Sequence, residues 1–159
     1  MRFTMRVLAV VTGGLGAMAP ILSAQAATLD GKAVLVVAKT FNFLIKKPAE
    51  GAKVVVVGAA ADVAATQAAL GKMTVAAGAP ADAAGAFAVI VGSPDEAKAA
   101  KAANATVMTI GSDVACVDSG ACLLAVETQP KVTIFVSRAA AQAAGVEFDP
   151  NFKMLITEK

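Results

Sequence analysis

The sequence predicts a single α/β domain over residues 27–159. We expect a Rossmann-like, three-layer arrangement whose mixed, mainly parallel sheet ends in an antiparallel hairpin. In the first two-thirds of the chain, apolar runs and helix-like segments follow the order strand, helix, strand, helix, strand. This order indicates parallel strands with helices on both faces of a sheet. Nearer the C-terminus, two apolar runs are separated by a turn around Gln129-Pro130, which is typical of a hairpin.

The first half of the chain supplies two helices and a buried strand. Apolar residues recur every three or four positions over 29–46, which predicts an amphipathic helix with Asp30 as its N-cap. The valine run at 53–57 is typical of a strand covered on both faces. An alanine-rich helix at 62–70 is predicted to end at Gly71.

The middle of the chain repeats this alternation. A short strand is predicted at 73–76 and a buried strand at 87–91. Ser93 is placed to cap a helix over 94–104, and a third core strand follows at 106–110.

The last third begins with a loop between the two cysteines, Cys116 and Cys122, which we call the cysteine loop. The predicted hairpin follows it, with strands at 123–128 and 131–136. Ser137 is expected to cap a short helix that ends at Gly145. A final turn or helix starts at 149–150 and contains the apolar residues Phe152, Met154, Leu155 and Ile156.

The first 26 residues have the pattern of an export signal. Arg2 and Arg6 form a basic start, 7–19 is a short apolar stretch, and Ala24-Gln25-Ala26 is a small-residue cleavage site. The apolar stretch is too short to span a bilayer, which takes roughly 20 residues. We therefore expect residues 1–26 to be a signal peptide and the protein to be periplasmic rather than membrane-spanning.

The chain has two cysteines, Cys116 and Cys122. A reducing cytosol would keep both thiols free, as candidate metal ligands or nucleophiles, whereas an oxidising periplasm would join them. Because the chain begins with an export signal, we expect a disulfide. Closing so short a loop stabilises the fold by about 2.4 kcal/mol in the chain-entropy model.

Histidine, tryptophan and tyrosine are missing from the chain. Without histidine there is no Ser–His or Cys–His nucleophile pair and no histidine-ligated zinc. Of the fourteen Lys and Arg residues, Arg2 and Arg6 lie in the leader, which leaves twelve against twelve Asp and Glu. No basic patch indicates nucleic-acid binding. The composition favours a protein that is not an enzyme and holds no cofactor.

Two glycine turns have some features of nucleotide-binding loops. Gly58 lies between a valine strand and a helix, but it is the only glycine present from the dinucleotide fingerprint. Segment 71–74 approaches the phosphate-loop pattern, but Met73 stands where Ser or Thr belongs and Thr66 where Gly belongs. We expect ordinary strand-to-helix turns at both places.

Charged residues near the cysteine loop are the remaining candidates for a site. Asp113, Asp118 and Glu127 flank the loop, but calcium needs about six to eight oxygens in a recognisable spacing that is absent here. We expect a solvated loop and no metal. Arg138 begins a helix, where a cation opposes the helix dipole unless a partner neutralises it. It is expected to be an exposed first-turn residue, with an anion clamp as the alternative.

Three stretches together resemble the YfiR/HmsC-like family of small periplasmic proteins. The first is the helix segment 38–43, which leads to a proline and the strand 54–58. The second is the turn 111–113 that enters the cysteine loop. The third is the strand 132–136 with the alanine-rich segment 139–146 and a hydrophobic tail.

The resemblance implies a periplasmic α/β domain that restrains an inner-membrane diguanylate cyclase by binding its periplasmic region, and so acts in cyclic-di-GMP signalling. It also implies that the redox state of the family's disulfides sets the protein's stability or competence, with the C-terminal disulfide at Cys116 and Cys122. The chain departs from the family in lacking a second cysteine pair and in having Lys47 before Pro48.

The sequence thus predicts a non-enzymatic regulator that binds an inner-membrane signalling partner. The alternative is a small-ligand-binding periplasmic protein that serves a transport system. A long apolar groove on the surface would favour the regulator, and a closed polar pocket around Arg138 would favour ligand binding. Homodimer formation is left open.

Apolar side chains of the first helix and the C-terminal segment are expected to be used only partly by the core. They would then serve as partner-binding anchors, because binding energy concentrates in a few apolar side chains. The proposed anchors are Phe41, Phe43, Leu44, Phe148 and Phe152. Lys46, Lys47 and Lys153 would frame them and steer association with an acidic surface.

We expect export and cleavage after Ala26, because the Ala-Gln-Ala site ends the apolar stretch. The intact mass of natively expressed protein from a periplasmic extract should correspond to residues 27–159. Retention of residues 1–26 in that protein would contradict the prediction.

Overall fold

The computed structural model describes residues 28–159, so the predicted signal peptide lies outside the described residues. The strands are β1 (Lys53–Val57), β2 (Thr74–Gly78), β3 (Ala88–Ile90), β4 (Met108–Gly111), β5 (Leu124–Glu127), β6 (Thr133–Val136) and β7 (Thr157–Glu158). The α-helices are α1 (Gly31–Phe41), α2 (Val63–Leu70), α3 (Pro94–Ala103), α4 (Val114–Asp118), α5 (Arg138–Ala144) and α6 (Pro150–Lys153). A 3₁₀-helix spans Pro80–Ala83.

All these strands belong to one sheet, in the order β2-β1-β3-β4-β5-β6-β7. Strands β1 to β5 are mutually parallel, β6 is antiparallel to β5, and β7 is parallel to β6. The first five strands have the 2-1-3-4-5 order of doubly wound α/β folds. The predicted fold class, with a mainly parallel sheet and a C-terminal antiparallel pair, is confirmed.

The side chains of β1 show why the sheet is covered on both faces. Val54 and Val56 belong to one apolar cluster and Val55 and Val57 to another, because successive side chains of a strand point to opposite faces. Helices α1, α2, α5 and α6 supply residues to the first cluster, and α3 and α4 to the second. The sheet is therefore the middle of three layers.

Each of the described α-helices begins at a residue whose side chain accepts a hydrogen bond from a first-turn backbone N–H. These N-caps are Asp30, Asp62, Ser93, Asp113, Ser137 and Asp149. Such a cap typically stabilises a helix by about 1 kcal/mol. The predicted caps Asp30, Ser93 and Ser137 are confirmed, as are the helix ends at Gly71 and Gly145. Within residues 28–159, no helix has the length and apolar content needed to cross a membrane.

Helix α1 ends at Phe41, so the prediction that it reaches residue 46 is wrong. The chain leaves the helix to pair with a distant segment. Leu44 forms an antiparallel bridge with Phe148, and the N–H of Ile45 donates to the carbonyl of Glu147 at 3.0 Å. These bonds replace the ones that a continuing helix would make.

Four of the five proposed anchors are core residues. Phe41, Leu44, Phe148 and Phe152 are between 2% and 5% exposed. The expectation that the core uses them only partly is wrong, because α1 and the C-terminal segment pack on the same face of the sheet. Phe43 is 36% exposed and stacks on Phe152, with ring centroids 5.0 Å apart.

Three elements are absent from the sequence predictions. Helix α4 contains Cys116 and leads into the cysteine loop, the 3₁₀-helix precedes β3, and β7 adds a two-residue edge strand after α6. All three are very short, so they carry too little periodicity to be read from the sequence alone.

We expect Phe152→Ala to lower the free energy of unfolding by about 3–5 kcal/mol, because it empties a buried ring site. Phe43→Ala should cost no more than about 1.5 kcal/mol, since this ring is partly exposed and loses mainly one stacking contact. Urea denaturation of both variants measures the difference. Equal losses would contradict the assignment of Phe152 to the core and Phe43 to the surface.

Candidate functional site

An apolar groove lies between the C-terminal ends of α1 and α2. It has a volume of about 650 Å³. Phe41, Leu70 and Met73 are buried at its base, and Leu35 stands 55% exposed at its edge. Its lining consists of Leu35, Ala38, Lys39, Phe41, Asn42, Lys47, Pro48, Ala49, Glu50, Ala69, Leu70, Gly71, Lys72 and Met73.

The charges around this groove are mainly positive. Lys72 Nζ lies 2.6 Å from Glu50 Oε1, and both side chains are exposed, so this pair adds little stability. Among residues 28–159, Lys39 and Lys47 form no salt bridge with a carboxylate. The groove therefore combines an apolar base with an excess of positive charge at its rim.

One wall of the groove is the turn from α2 into β2. Gly71 ends α2 with φ at +54°, a conformation that side-chain-bearing residues rarely adopt. Gln67 fixes the turn by donating from Nε2 to the carbonyls of Gly71 at 3.2 Å and Met73 at 2.8 Å. The N–H of Gly51 donates to the carbonyl of Lys72 at 2.8 Å, which ties the opposite wall to the same turn.

Only part of this groove was predicted from the sequence. Phe41 lies at its base and Lys47 at its rim, whereas the other four proposed anchors do not line it. Leu35 is an exposed lining residue that does not belong to the proposed anchors. The signal was present, because Leu35 is apolar but lies off the buried stripe of α1 formed by Val34, Val37 and Phe41.

A second surface, near the C-terminal segment, contains several exposed apolar side chains. Phe43 and Ile45 lie beside the segment that contains Met154 and Leu155, and all four are exposed. The N–H of Asp149 donates to the carbonyl of Phe43 at 2.8 Å, which holds the two segments together. The chain between α1 and β1 thus contributes to this surface as well as to the groove.

A cleft of about 630 Å³ lies beside Arg138. The Arg138 guanidinium forms a salt bridge with the Glu158 carboxylate. This hydrogen-bonded pairing raises the pKa of Arg138 and lowers the pKa of Glu158. Arg138 is exposed, as predicted, and its neutralising partner is on β7. An anionic ligand in this cleft would have to compete with Glu158.

The three carboxylates near the cysteine loop have separate structural partners. Asp113 caps α4, and Asp118 lies 3.1 Å from Lys159 Nζ. Glu127 accepts a hydrogen bond from the N–H of Val114. In the described part of the chain, no group of three or more acidic, cysteine or histidine residues could hold a metal ion.

Asp30 links the start of α1 to the hairpin. Its carboxylate accepts hydrogen bonds from Thr128 Oγ1 at 2.6 Å and from the N–H of Ala33 at 2.7 Å. These bonds favour the charged form and lower the pKa of Asp30 below its ordinary value of 3.8. The stability they provide is therefore present above that value and is lost as the pH falls through the lowered pKa.

The two glycine turns have ordinary roles, one at the end of a strand and one at the end of a helix. Gly58 follows β1 with φ at +54°, and Gly71 ends α2. At the start of α2 the Asp62 carboxylate accepts from the N–H of Ala65 at 2.6 Å. A carboxylate thus already occupies the place where a phosphate-binding loop would present free N–H groups.

The predicted disulfide is present between Cys116 on α4 and Cys122 just before β5, with Cα atoms 5.1 Å apart. Both cysteines are buried on the face of the sheet opposite the groove. A Cβ atom added at Gly111 would lie 3.0 Å from Cys122 Sγ, so the disulfide packs directly against the backbone of β4. A disulfide is compatible with an oxidising compartment.

The buried Thr109 hydroxyl secures the segment around this disulfide. It donates to the carbonyl of Ala121 at 3.0 Å and accepts from the N–H of Leu123 at 3.0 Å. Lys101 Nζ on α3 donates to the carbonyl of Gly120 at 2.8 Å. The disulfide therefore belongs to a structural network.

No protein-family model matches the chain, and no curated protein shows significant similarity to it.

We expect reduction of the Cys116–Cys122 disulfide to lower the free energy of unfolding by about 2.4 kcal/mol, because the unfolded chain regains loop entropy. The melting temperature should fall by roughly 5–12 °C. Calorimetry with and without reductant measures this change. An unchanged melting temperature, with thiol labelling confirming complete reduction, would contradict a stabilising role.

Proposed function

We propose that this protein is a non-enzymatic periplasmic regulator that binds and restrains an inner-membrane signalling partner. On the resemblance to the YfiR/HmsC-like proteins, we propose a diguanylate cyclase as that partner, contacted through its periplasmic region. The observation that supports this proposal best is the apolar groove between α1 and α2. The disulfide is compatible with the oxidising compartment that the proposal requires.

The groove has the composition expected of a docking site for a protein segment. Its accessible apolar residues, among them Leu35, Ala38 and Pro48, can contact apolar side chains of a partner above the buried base. Binding energy in protein interfaces concentrates in such desolvated apolar contacts. Lys39 and Lys47 at the rim would attract an acidic surface and accelerate its association.

The polar residues singled out in the sequence have structural partners, which favours binding over catalysis. Asp113 caps a helix, and Glu127 holds its first turn. Arg138 is engaged by Glu158. An active site would instead require a nucleophile or base placed within reach of a substrate.

The alternative function, binding of a small ligand for a transport system, would use the cleft beside Arg138. That cleft has apolar walls, among them Ile45 and Phe148, and cationic groups from Arg138 and Lys153. It would suit a small anion with an apolar portion. The salt bridge of Arg138 to Glu158 makes this the weaker candidate.

We expect Leu35→Asp to abolish restraint of the partner, because it places a charge at the apolar edge of the groove. Cellular cyclic-di-GMP should rise to the level of a deletion strain. Affinity for the partner's periplasmic region should fall by at least about tenfold. Leu35 is 55% exposed, so the fold and the melting temperature should be preserved.

Val132→Asp is the matched control, since Val132 is similarly exposed, at 48%, but lies in the hairpin away from the groove. It should leave cyclic-di-GMP at the wild-type level. Full restraint by a folded Leu35→Asp protein would exclude the groove as the docking site. If deletion of the gene changes neither cyclic-di-GMP nor biofilm formation, the regulator hypothesis fails and ligand binding becomes the leading function.

A further inference from the structure

Strand β2 forms one edge of the sheet and pairs only with β1 among the described residues. Segment 73–79, which contains β2, has no charged residue and no proline. Natural sheets usually protect such edges with charges, prolines or bulges, because unpaired N–H and C=O groups are a template for another strand. The residues of this segment themselves supply neither of the first two protections.

The register with β1 identifies the backbone groups that face outward. The N–H of Thr74 donates to the carbonyl of Ala52 at 3.0 Å, so Thr74 faces the neighbouring β1 side of the sheet. In a parallel ladder, alternate residues of a strand bond to the same neighbour. The backbone groups of Met73, Val75 and Ala77 therefore face away from β1, toward the open edge.

The side chain of Gln67, on α2, occupies part of this open edge. Its Nε2 donates to the carbonyl of Met73 at 2.8 Å, and its Oε1 accepts from the N–H of Val75 at 2.9 Å. One side-chain amide thus makes two hydrogen bonds that a neighbouring strand would otherwise make. Farther along, Asp82 Oδ2 accepts from the N–H of Ala79 at 2.8 Å.

We propose that the outer edge of β2 is a latent pairing site for a second copy of this chain, and that Gln67 keeps it closed. Between the bonds of Gln67 and those of Asp82, only the Val75 carbonyl and the backbone groups of Ala77 remain for a partner strand. Displacing Gln67 would extend this short stretch into a continuous ladder that begins at Met73.

The partner strand that suits this edge best is β2 of a second copy of the chain. Antiparallel pairing of β2 with itself forms a two-fold interface, the commonest symmetry of homodimers. The facing side chains would be uncharged, so no like charges would oppose each other across the strands. This inference does not rest on the proposed function, although Gln67 also fixes the turn that forms one wall of the groove.

Removing the amide of Gln67 tests the proposal. Gln67→Ala and Gln67→Met both suit a helix, and Met also keeps the approximate size of the side chain. Sedimentation velocity over a wide concentration range should show both variants dimerising with a dissociation constant at least about tenfold below that of the wild type. Gln142→Ala, which removes an exposed amide from α5, is the matched control and should behave like the wild type.

Amide hydrogen exchange locates the association. In the wild-type monomer, the Val75 amide should exchange at least about tenfold more slowly than the Ala77 amide, because only the former is hydrogen-bonded. In the dimeric variants the Ala77 amide should become protected. Adding Ala77→Pro, which removes only an outward-facing N–H, should restore the monomer.

Several outcomes would overturn the proposal. The proposal fails if the Gln67→Ala and Gln67→Met proteins fold and remain as monomeric as the wild type. Dimerisation that leaves the Ala77 amide unprotected, or that Gln142→Ala shows equally, would place the association elsewhere. If neither Gln67 variant folds, equal exchange rates of the Val75 and Ala77 amides in the wild type would overturn it, because Gln67 would then not close the edge.

Discussion

Double-sided burial of β1 is the constraint on which the rest of the structure depends. Its valines are buried on both faces and its neighbours are β2 and β3, so water must be excluded from both sides of the sheet at this strand. Helices α1 and α2 cover one face, while α3 and the 3₁₀-helix cover the other side of this region. The groove exists because α1 and α2 pack together along the sheet and leave their C-terminal ends apart.

The fold could be predicted because its determinants are local. The valine run, the capping residues and the glycines at helix ends are each contained in a few neighbouring positions, and their alternation specifies a parallel sheet. The end of α1 depends instead on a pairing between Leu44 and Phe148, which are far apart in the chain. No local pattern contains that information, so the predicted helix was too long.

Contacts between distant segments also determine which phenylalanines are buried. Phe43 and Phe152 are alike in sequence context, since each lies in an apolar segment near lysines, yet one ring is partly exposed and the other is in the core. Their difference arises when the two segments pack against each other. The groove could not be predicted from a local pattern either, because its base comes from α1, α2 and the turn before β2. Leu35 carries a readable signal that was overlooked, since it is an apolar residue off the buried stripe of its helix.

The contact between Gly111 and the disulfide makes the substitutions tolerated at residue 111 depend on Cys116 and Cys122. Because a Cβ atom at residue 111 would lie 3.0 Å from Cys122 Sγ, alanine there requires the sulfur or the strand to shift. If Cys122 becomes a smaller residue, that restriction is relaxed and the paired Cys116 loses its partner. In descendants of this sequence that keep both cysteines, Gly111 should therefore be retained, whereas loss of the disulfide allows other residues at position 111.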